Sequence, residues 1–306
     1  MGKKRIILLM LVFGCVFLVS AGKVVQILAE QHREKKAFDA LVQQVEAQLP
    51  TAEETGGTEK VQPGDSAASE ENSMGLREDP AETKQQDTAG AGETDDGSDL
   101  EERPVMETDP ETGILKPYLP LYEQNHDLFG WIQIAGTGIN YPVMCTPGDM
   151  EYYLRRAFHG SPSKGGTPFL DTVTHEDGYL YIVYGHNMKN KTMFGRLSEY
   201  AKKRYWEKHP LIYFDTLYEQ QTYEIAAAFY SKVSMTEEEE GFRYYEYKDL
   251  SDEQVFEEFK EQVEEAALYD TGIPLIYKDT VLLLSTCSYH TEAGRFVVVA
   301  VKTQEE

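Results

Sequence analysis

Two apolar runs near the C-terminus are broken by residues of a different kind. Residues 281 to 290 read VLLLSTCSYH and the chain continues TEAGRFVVVAV, so Cys287 closes one run and Arg295 opens the next. A structural cysteine packs more comfortably inside such a run. A thiol becomes a useful nucleophile when a cation or base favours its thiolate, and the usual partner is histidine. The chain holds seven histidines. His32 adjoins the apolar N-terminal segment, and His126, His159, His175 and His209 fall in polar loops or at helix ends. His290 stands three residues from Cys287, whereas His186 follows YIVYG, where another apolar strand ends at a glycine. Nearness favours His290. Against it, a short loop constrains a catalytic pair badly, and His186 occupies the same place on its strand that Cys287 occupies on its own. Arg295 adds a fixed charge and a planar fork of donors suited to an oxyanion or a peptide carbonyl. Taken singly, each residue has a bland explanation: a solvated loop histidine, a strand-end arginine paired with a carboxylate, a packed thiol. Together they point to cysteine acyl chemistry.

The elements that must position these residues lie between about Ile114 and the C-terminus, where tyrosine, phenylalanine and β-branched residues are dense and turn signals regular. A short helix in LPLYEQN precedes strands at 130–134 and 139–144, joined by the turn 135–138. TPFLD and GYLYIVYGH read as further strands. MFGRLSEYAKKRYWEKHP reads as one helix stopping at Pro210. LIYFDT and TYEIAAAFYSKV form a hairpin pair, and DTVLLLSTC and RFVVVAVK are the last two strands. Before them, an amphipathic helix over 251–268 places Val255, Phe256, Phe259, Val263, Ala266 and Ala267 on one face. Ser251 and Gln254 have capping-box spacing there, and Gly272 follows as the stop. Many short strands with few helices predict a mostly β fold, a closed or nearly closed barrel with helical insertions.

The N-terminus places this domain. Lys3, Lys4 and Arg5 precede an apolar run from Ile6 to Gly22. At about 1.5 Å per residue this run is slightly short for a hydrocarbon core of about 30 Å, and Lys23 snorkelling lets residues up to Leu28 extend it. The basic end then stays cytoplasmic and the rest lies outside. Val19-Ser20-Ala21 resembles a signal-peptide cleavage site, but the run exceeds a usual signal core, and QHREKKAFDALVQQVEAQL continues in helical character. The expected organisation is a cytoplasmic tip at 1–5, a membrane anchor at 6–28, a juxtamembrane helix at 29–50, an acidic linker at 51–112 and a catalytic domain at 113–306. Residues 51 to 110 hold 18 acidic against 4 basic residues within a total net charge of −24. A segment so polar cannot offset its ordering entropy and reads as a disordered tether with a reach of roughly 40–45 Å. The acidity excludes nucleic acid as a natural partner. Cys145 and Cys287, outside the membrane run, read as free thiols rather than as a disulfide.

LSTC followed eight residues later by arginine, with YGHNM about a hundred residues upstream, resembles the sortase signature. GWIQIAGTGINYPV, YYLRRAFHGSPSKGGTPFLD and YGHNMKNKTMFGRL resemble class B in particular, as does the helix before the cysteine strand. The resemblance spans roughly Tyr118 to Lys302. It implies an eight-stranded sortase barrel on the outer face of a Gram-positive cell membrane, acting without a cofactor. It further implies a cysteine transpeptidase that cuts surface proteins after the threonine of a C-terminal sorting signal of the Pro-x-Thr type and passes the acyl group to a cell-wall peptide amine. Carried onto this chain, Cys287 is the nucleophile, His186 the general acid or base, and Arg295 the stabiliser of substrate and oxyanion. Leu154, Tyr184, Ser285 and Thr286 line the groove. Ser288 and His290 stand where relatives vary. The alternatives are a pilin-polymerising sortase with a lysine acceptor and, from another class, a membrane-tethered β-barrel binding module with an inert cysteine.

Overall fold

The barrel is preceded by a short helix, α2 (Leu119–Gln124), and opens with β1 (Leu128–Ile134), which turns back into β2 (Ile139–Met144). That turn carries Gly136 at a φ of +72°, where a Cβ would stand 2.7 Å from the His209 ring. Next come β3 (Phe169–Leu170), β4 (Leu180–Tyr184), β5 (Leu211–Thr216), β6 (Thr222–Lys232), β7 (Val281–Cys287) and β8 (Gly294–Lys302). The computed structural model describes residues 3–49, 103–171, 178–234 and 241–304. The strands close into a barrel in the order β1-β2-β3-β4-β7-β8-β6-β5, with β5 returning to β1. Most pairs are antiparallel, but β2 with β3 and β4 with β7 run parallel. The expected eight-stranded barrel is therefore the fold.

Both faces of the central strands are covered, which explains their continuous apolar runs. Leu282, Leu284, Phe296 and Val298 fill the barrel interior. Leu283, Val297 and Val299 belong to a second cluster outside the barrel, beneath α4 (Glu253–Ala266). Phe256, Phe259 and Val263 of α4 are essentially fully buried against them, worth about 1.5–3 kcal/mol for each large side chain. The cap of α4 is Asp252 and not the expected Ser251. The Asp252 carboxylate accepts from the backbone N–H of Gln254 at 2.9 Å and of Val255 at 3.2 Å. A charged cap one residue on also meets the positive end of the helix dipole.

The single helix expected over 193–209 is two pieces, a 3-10 segment at Leu197–Ala201 and α3 (Lys203–Lys208). At about 100° per residue, Tyr200 and Trp206 would face different sides of one continuous helix. Both pack inward: Tyr200 is fully buried, and the Trp206 indole N–H donates to the Ile225 carbonyl at 3.1 Å. The break at Lys202, which is extended, turns both toward the barrel.

At the N-terminus one helix, α1 (Lys3–Glu46), runs through the expected boundary between 6–28 and 29–50 without interruption. It is long and apolar enough to cross a membrane, and its side chains from Phe13 to Leu28 are exposed. Beyond that, Phe38, Leu41 and Val45, spaced by three and four residues, are buried in the interior cluster's margin. The Phe38 ring meets Tyr141 of β2 edge-on at 5.3 Å, and Gln44 accepts from the Gln124 amide at 2.9 Å. The acidic segment expected to be disordered lies mostly outside the described residues. It leaves from and returns to one body, made of residues 1–49 and 104–306. That body resumes at Pro104, ahead of the expected start at 113: Met106 N–H donates to the Gln220 side chain and Lys116 N–H to the Glu107 carbonyl.

Candidate active site

Strand register assembles the site. Along the parallel pair, β4 residues face β7 residues in step, from Leu180 with Val281 to Tyr184 with Ser285. Two further residues bring His186 level with Cys287. On the other side of β7, Cys287 and Arg295 are direct partners in the antiparallel ladder with β8. His186, Cys287 and Arg295 thus stand in one row across three adjacent strand ends. Alternation also sets their face. Val281 and Leu283 look outward beneath α4, and Leu180 and Ile182 do the same on β4. Cys287 and His186 continue those outward series, and Arg295 continues that of Val297 and Val299. All three are half-buried.

His186 is held from the side by the 3-10 segment Met150–Arg155. Its Nε2 lies 2.7 Å from the Leu154 carbonyl oxygen. A carbonyl can only accept, so Nε2 carries the proton and Nδ1 of the neutral ring keeps its lone pair. Burial pushes the imidazole below its ordinary pKa. The Leu154 bond opposes that shift, and the Arg155 cation adds to it. At neutral pH the ring is a neutral base with one free acceptor nitrogen. The backbone here is tightly fitted: a Cβ on Gly185 would stand 2.6 Å from the Phe194 ring.

The ends of β4 and β7 are tied beyond their ladder. The Thr286 hydroxyl donates to the Gly185 carbonyl at 2.7 Å, and the Asn187 side-chain amide donates to the Cys287 carbonyl at 2.7 Å. Beneath Cys287 on the same face, the Ser285 and Tyr244 hydroxyls share a hydrogen bond of 2.7 Å. Burial raises the Tyr244 phenol to about 12, against the Ser285 bond and the Arg295 charge, so it stays a neutral donor or acceptor. Tyr184, level with Ser285, is bonded to the buried Asp171, and burial first of all drives its pKa up. Asp171 also pairs with Lys248 at 3.0 Å. Arg295 folds Nη1 back on its own turn, donating to the carbonyls of Gly294 at 3.1 Å and Ala293 at 3.4 Å.

The expected site residues therefore gather at one end of the sheet, with two differences of role. Leu154 holds the histidine through its carbonyl. The Thr286 hydroxyl is engaged with the neighbouring strand, and its side chain is buried. His290 belongs to a separate, exposed group: its Nδ1 lies 2.9 Å from the Ser288 hydroxyl, and its ring rests on Tyr230 at 4.8 Å. Asn187, Tyr244 and Asp171 escape a sequence reading. Only the polar Asn187 directly after His186 carried a visible signal.

Comparison with known proteins finds relatives of the same fold. A family model described as a sortase domain matches residues 132–303. Sortase B of Staphylococcus aureus is 29% identical over 180 residues, covering 58% of this chain and 70% of that protein. The crystal structure of sortase B from Bacillus anthracis superposes with a TM-score of 0.56 at 28% identity, covering 66% of this chain and 90% of that one. A Staphylococcus aureus sortase B–substrate complex gives 0.55 at 27% identity, over 63% and 87% of the two chains.

Proposed function

The chain belongs to the sortase family, and from that premise we propose that it is a membrane-anchored class B transpeptidase with Cys287 as nucleophile. Its substrates are surface proteins whose C-terminal sorting signal, of the Pro-x-Thr type, is cut after threonine. Its acceptor is an amine of a cell-wall peptide. The helix α1 is its membrane anchor, with the basic tip inside and the barrel on the extracellular face. The observation that carries this reading is the row His186–Cys287–Arg295 on three neighbouring strand ends.

Each group has one task. His186 Nδ1 takes the Cys287 thiol proton as sulfur attacks the threonine carbonyl carbon. The charge that develops on the carbonyl oxygen is met by N–H donors of Arg295. The C–N bond then breaks, the leaving amine takes the proton from His186, and a thioester to Cys287 remains. The acceptor amine attacks that thioester and gives its proton to His186. The C–S bond breaks, and the departing sulfur recovers a proton from the same ring. Atoms and protons balance over the cycle.

The test is incubation of the full-length protein with a fluorogenic sorting peptide and an acceptor peptide, with mass spectrometry of the enzyme. A thioester on Cys287, lost in Cys287→Ala, supports the mechanism. A Cys287 that resists a methanethiosulfonate reagent would mark an inert binding module. Exclusive use of a pilin lysine as acceptor would indicate pilus assembly.

A further inference from the structure

The helix proposed as anchor does more than end near the barrel. Glu30, about 3 Å along the helix axis from Leu28 and about 12 Å from Gly22, pairs with Lys164 at 2.5 Å. One turn on, the Glu34 carboxylate accepts from the Ser163 hydroxyl at 2.8 Å and the Lys164 backbone N–H at 3.0 Å. The headgroup layer of a bilayer is only about 5–7 Å deep on each side. The loop carrying Lys164 is therefore held at or just above headgroup level, with Phe38, Leu41 and Val45 locking the helix to the barrel further up.

This membrane-proximal end is the catalytic end. β2 runs parallel to β3 and β3 antiparallel to β4, so the start of β2 and the end of β4 lie at the same end of the barrel. The Tyr141 hydroxyl of β2 accepts from the Met193 N–H, on the loop that follows His186. Gly166, in the loop clamped by Glu34, is packed so closely on Leu154 that a Cβ there would stand 2.4 Å from its carbonyl oxygen, the atom that holds His186. A cleft of about 690 Å³ between α1 and these loops is lined by His32, Lys35, Lys191 and Arg196 among others.

The charge of these loops runs against that of the molecule. Residues 161–166 and 187–196 contain Lys164, Lys189, Lys191 and Arg196 and no acidic residue, in a chain of net charge −24. Glu30 and Glu34 sit against the Lys164 loop and Glu199 against Lys191 and Arg196, so three of these four charges are offset and the patch keeps a small cationic excess in an otherwise acidic chain. Lysines near an anionic leaflet each contribute about 1 kcal/mol of attraction.

We propose that the His186 end of the barrel lies on the anionic headgroup surface of the membrane that α1 crosses, so that catalysis takes place at the bilayer surface and not at the end of a tether. This rests on the reading of α1 as the anchor. The acidic segment, which leaves and rejoins the same body, then sets no reach. The sorting signal is then engaged at the level of the headgroups.

The test uses the full-length chain in phosphatidylglycerol-containing vesicles, with its native cysteines replaced by serine and one fluorophore at Asn190→Cys or Lys278→Cys. Lys278 lies before β7, at the barrel's other end, about 20 Å away along the strand. Energy transfer to headgroup-labelled lipid should be strong from position 190 and weak from position 278. Phe38→Ser with Leu41→Ser should abolish the difference by freeing the helix. In the protein that keeps its native cysteines, Lys164→Glu, Lys189→Glu and Lys191→Glu together should lower turnover of a lipid-anchored sorting peptide about tenfold on these vesicles and leave it unchanged in detergent. Equal transfer from both positions in a protein retained by the membrane would overturn this proposal alone. Release of the chain from the vesicles by carbonate would overturn the anchor as well.

Discussion

The Asn187 side-chain amide donates to the Cys287 carbonyl at 2.7 Å and so supplies a rung that the backbone ladder lacks. One rung earlier, Gly185 N–H donates to the Ser285 carbonyl. With the two-residue period of a parallel pair, the next donor would be the backbone N–H of residue 187. The chain instead turns there, bridging Asn187 to Met193, and the side chain takes over. His186, between these two bonds, is thereby held level with Cys287.

Asn187→Ala should lower kcat by roughly ten- to a hundredfold with KM little changed, since small misplacements of a catalytic pair cost that much. Stability should fall by only about 1 kcal/mol, the net worth of one hydrogen bond. Asn187→Asp, which turns an acceptor toward a carbonyl, should be no better than alanine. Steady-state kinetics beside unfolding curves decide the point: a loss confined to KM, or one that follows stability, removes the positioning role.

The two histidines separate cleanly by environment. His186 is half-buried against Leu154, while His290 is exposed beside Ser288 and Tyr230. His186→Ala should abolish acyl transfer with the fold intact, and His290→Ala should retain most of it. Comparable losses in the two variants, measured as thioester formed per mole of enzyme, would give the loop after Cys287 a catalytic part.

Strand ends are what made this site legible in the sequence. An apolar run that stops at Cys287, another that stops just before His186 and a third that starts after Arg295 mark three barrel strands reaching one rim. The amphipathic face of α4 was equally plain, because Phe256, Phe259 and Val263 repeat at helical spacing. What stayed hidden depends on partners distant in sequence. Asn187 acquires its role only when β4 and β7 are set in register a hundred residues apart. The stripe of Phe38, Leu41 and Val45 is readable, but its seat on Tyr141 is not, so α1 looks like a spacer until the barrel is built beside it. The Leu154 carbonyl acts through a backbone atom, which no residue type announces.

The pH dependence follows from the surroundings of His186. Burial above all, and then Arg155, hold its folded pKa below the ordinary value of about 6.5. The unfolded chain therefore binds the extra proton, and stability falls as pH drops through about 6.5 and returns above it. The proposed mechanism needs the neutral ring, so the acidic limb of kcat/KM should also lie below 6.5. Arg155→Gln removes a like charge and should move that limb upward, toward 6.5. A limb that stays put or moves down in the variant excludes Arg155 as the cause and points away from His186 as the titrating base.

Arg295 should not be replaceable by lysine. Its Nη1 is committed to the turn, donating to the carbonyls of Gly294 and Ala293, a residue at a positive φ of 52°. A guanidinium has five N–H donors in a rigid fork, so it can brace that turn and still present donors to the substrate oxygen beside Cys287. Lysine has a single nitrogen on a flexible stem. An ammonium that reaches the oxyanion gives up the turn, and one that caps the turn abandons the oxyanion. Removing one such donor typically costs about 10²–10³ in turnover. Arg295→Lys should therefore lose nearly as much activity as Arg295→Ala, with little change in melting temperature. If Arg295 only supplied positive potential to favour the thiolate, lysine would serve almost as well. Turnover of a fluorogenic sorting peptide by both variants, with the alkylation rate of Cys287 measured alongside, separates the two: near wild-type turnover in Arg295→Lys rules out the geometric role, and preserved alkylation with lost turnover establishes it.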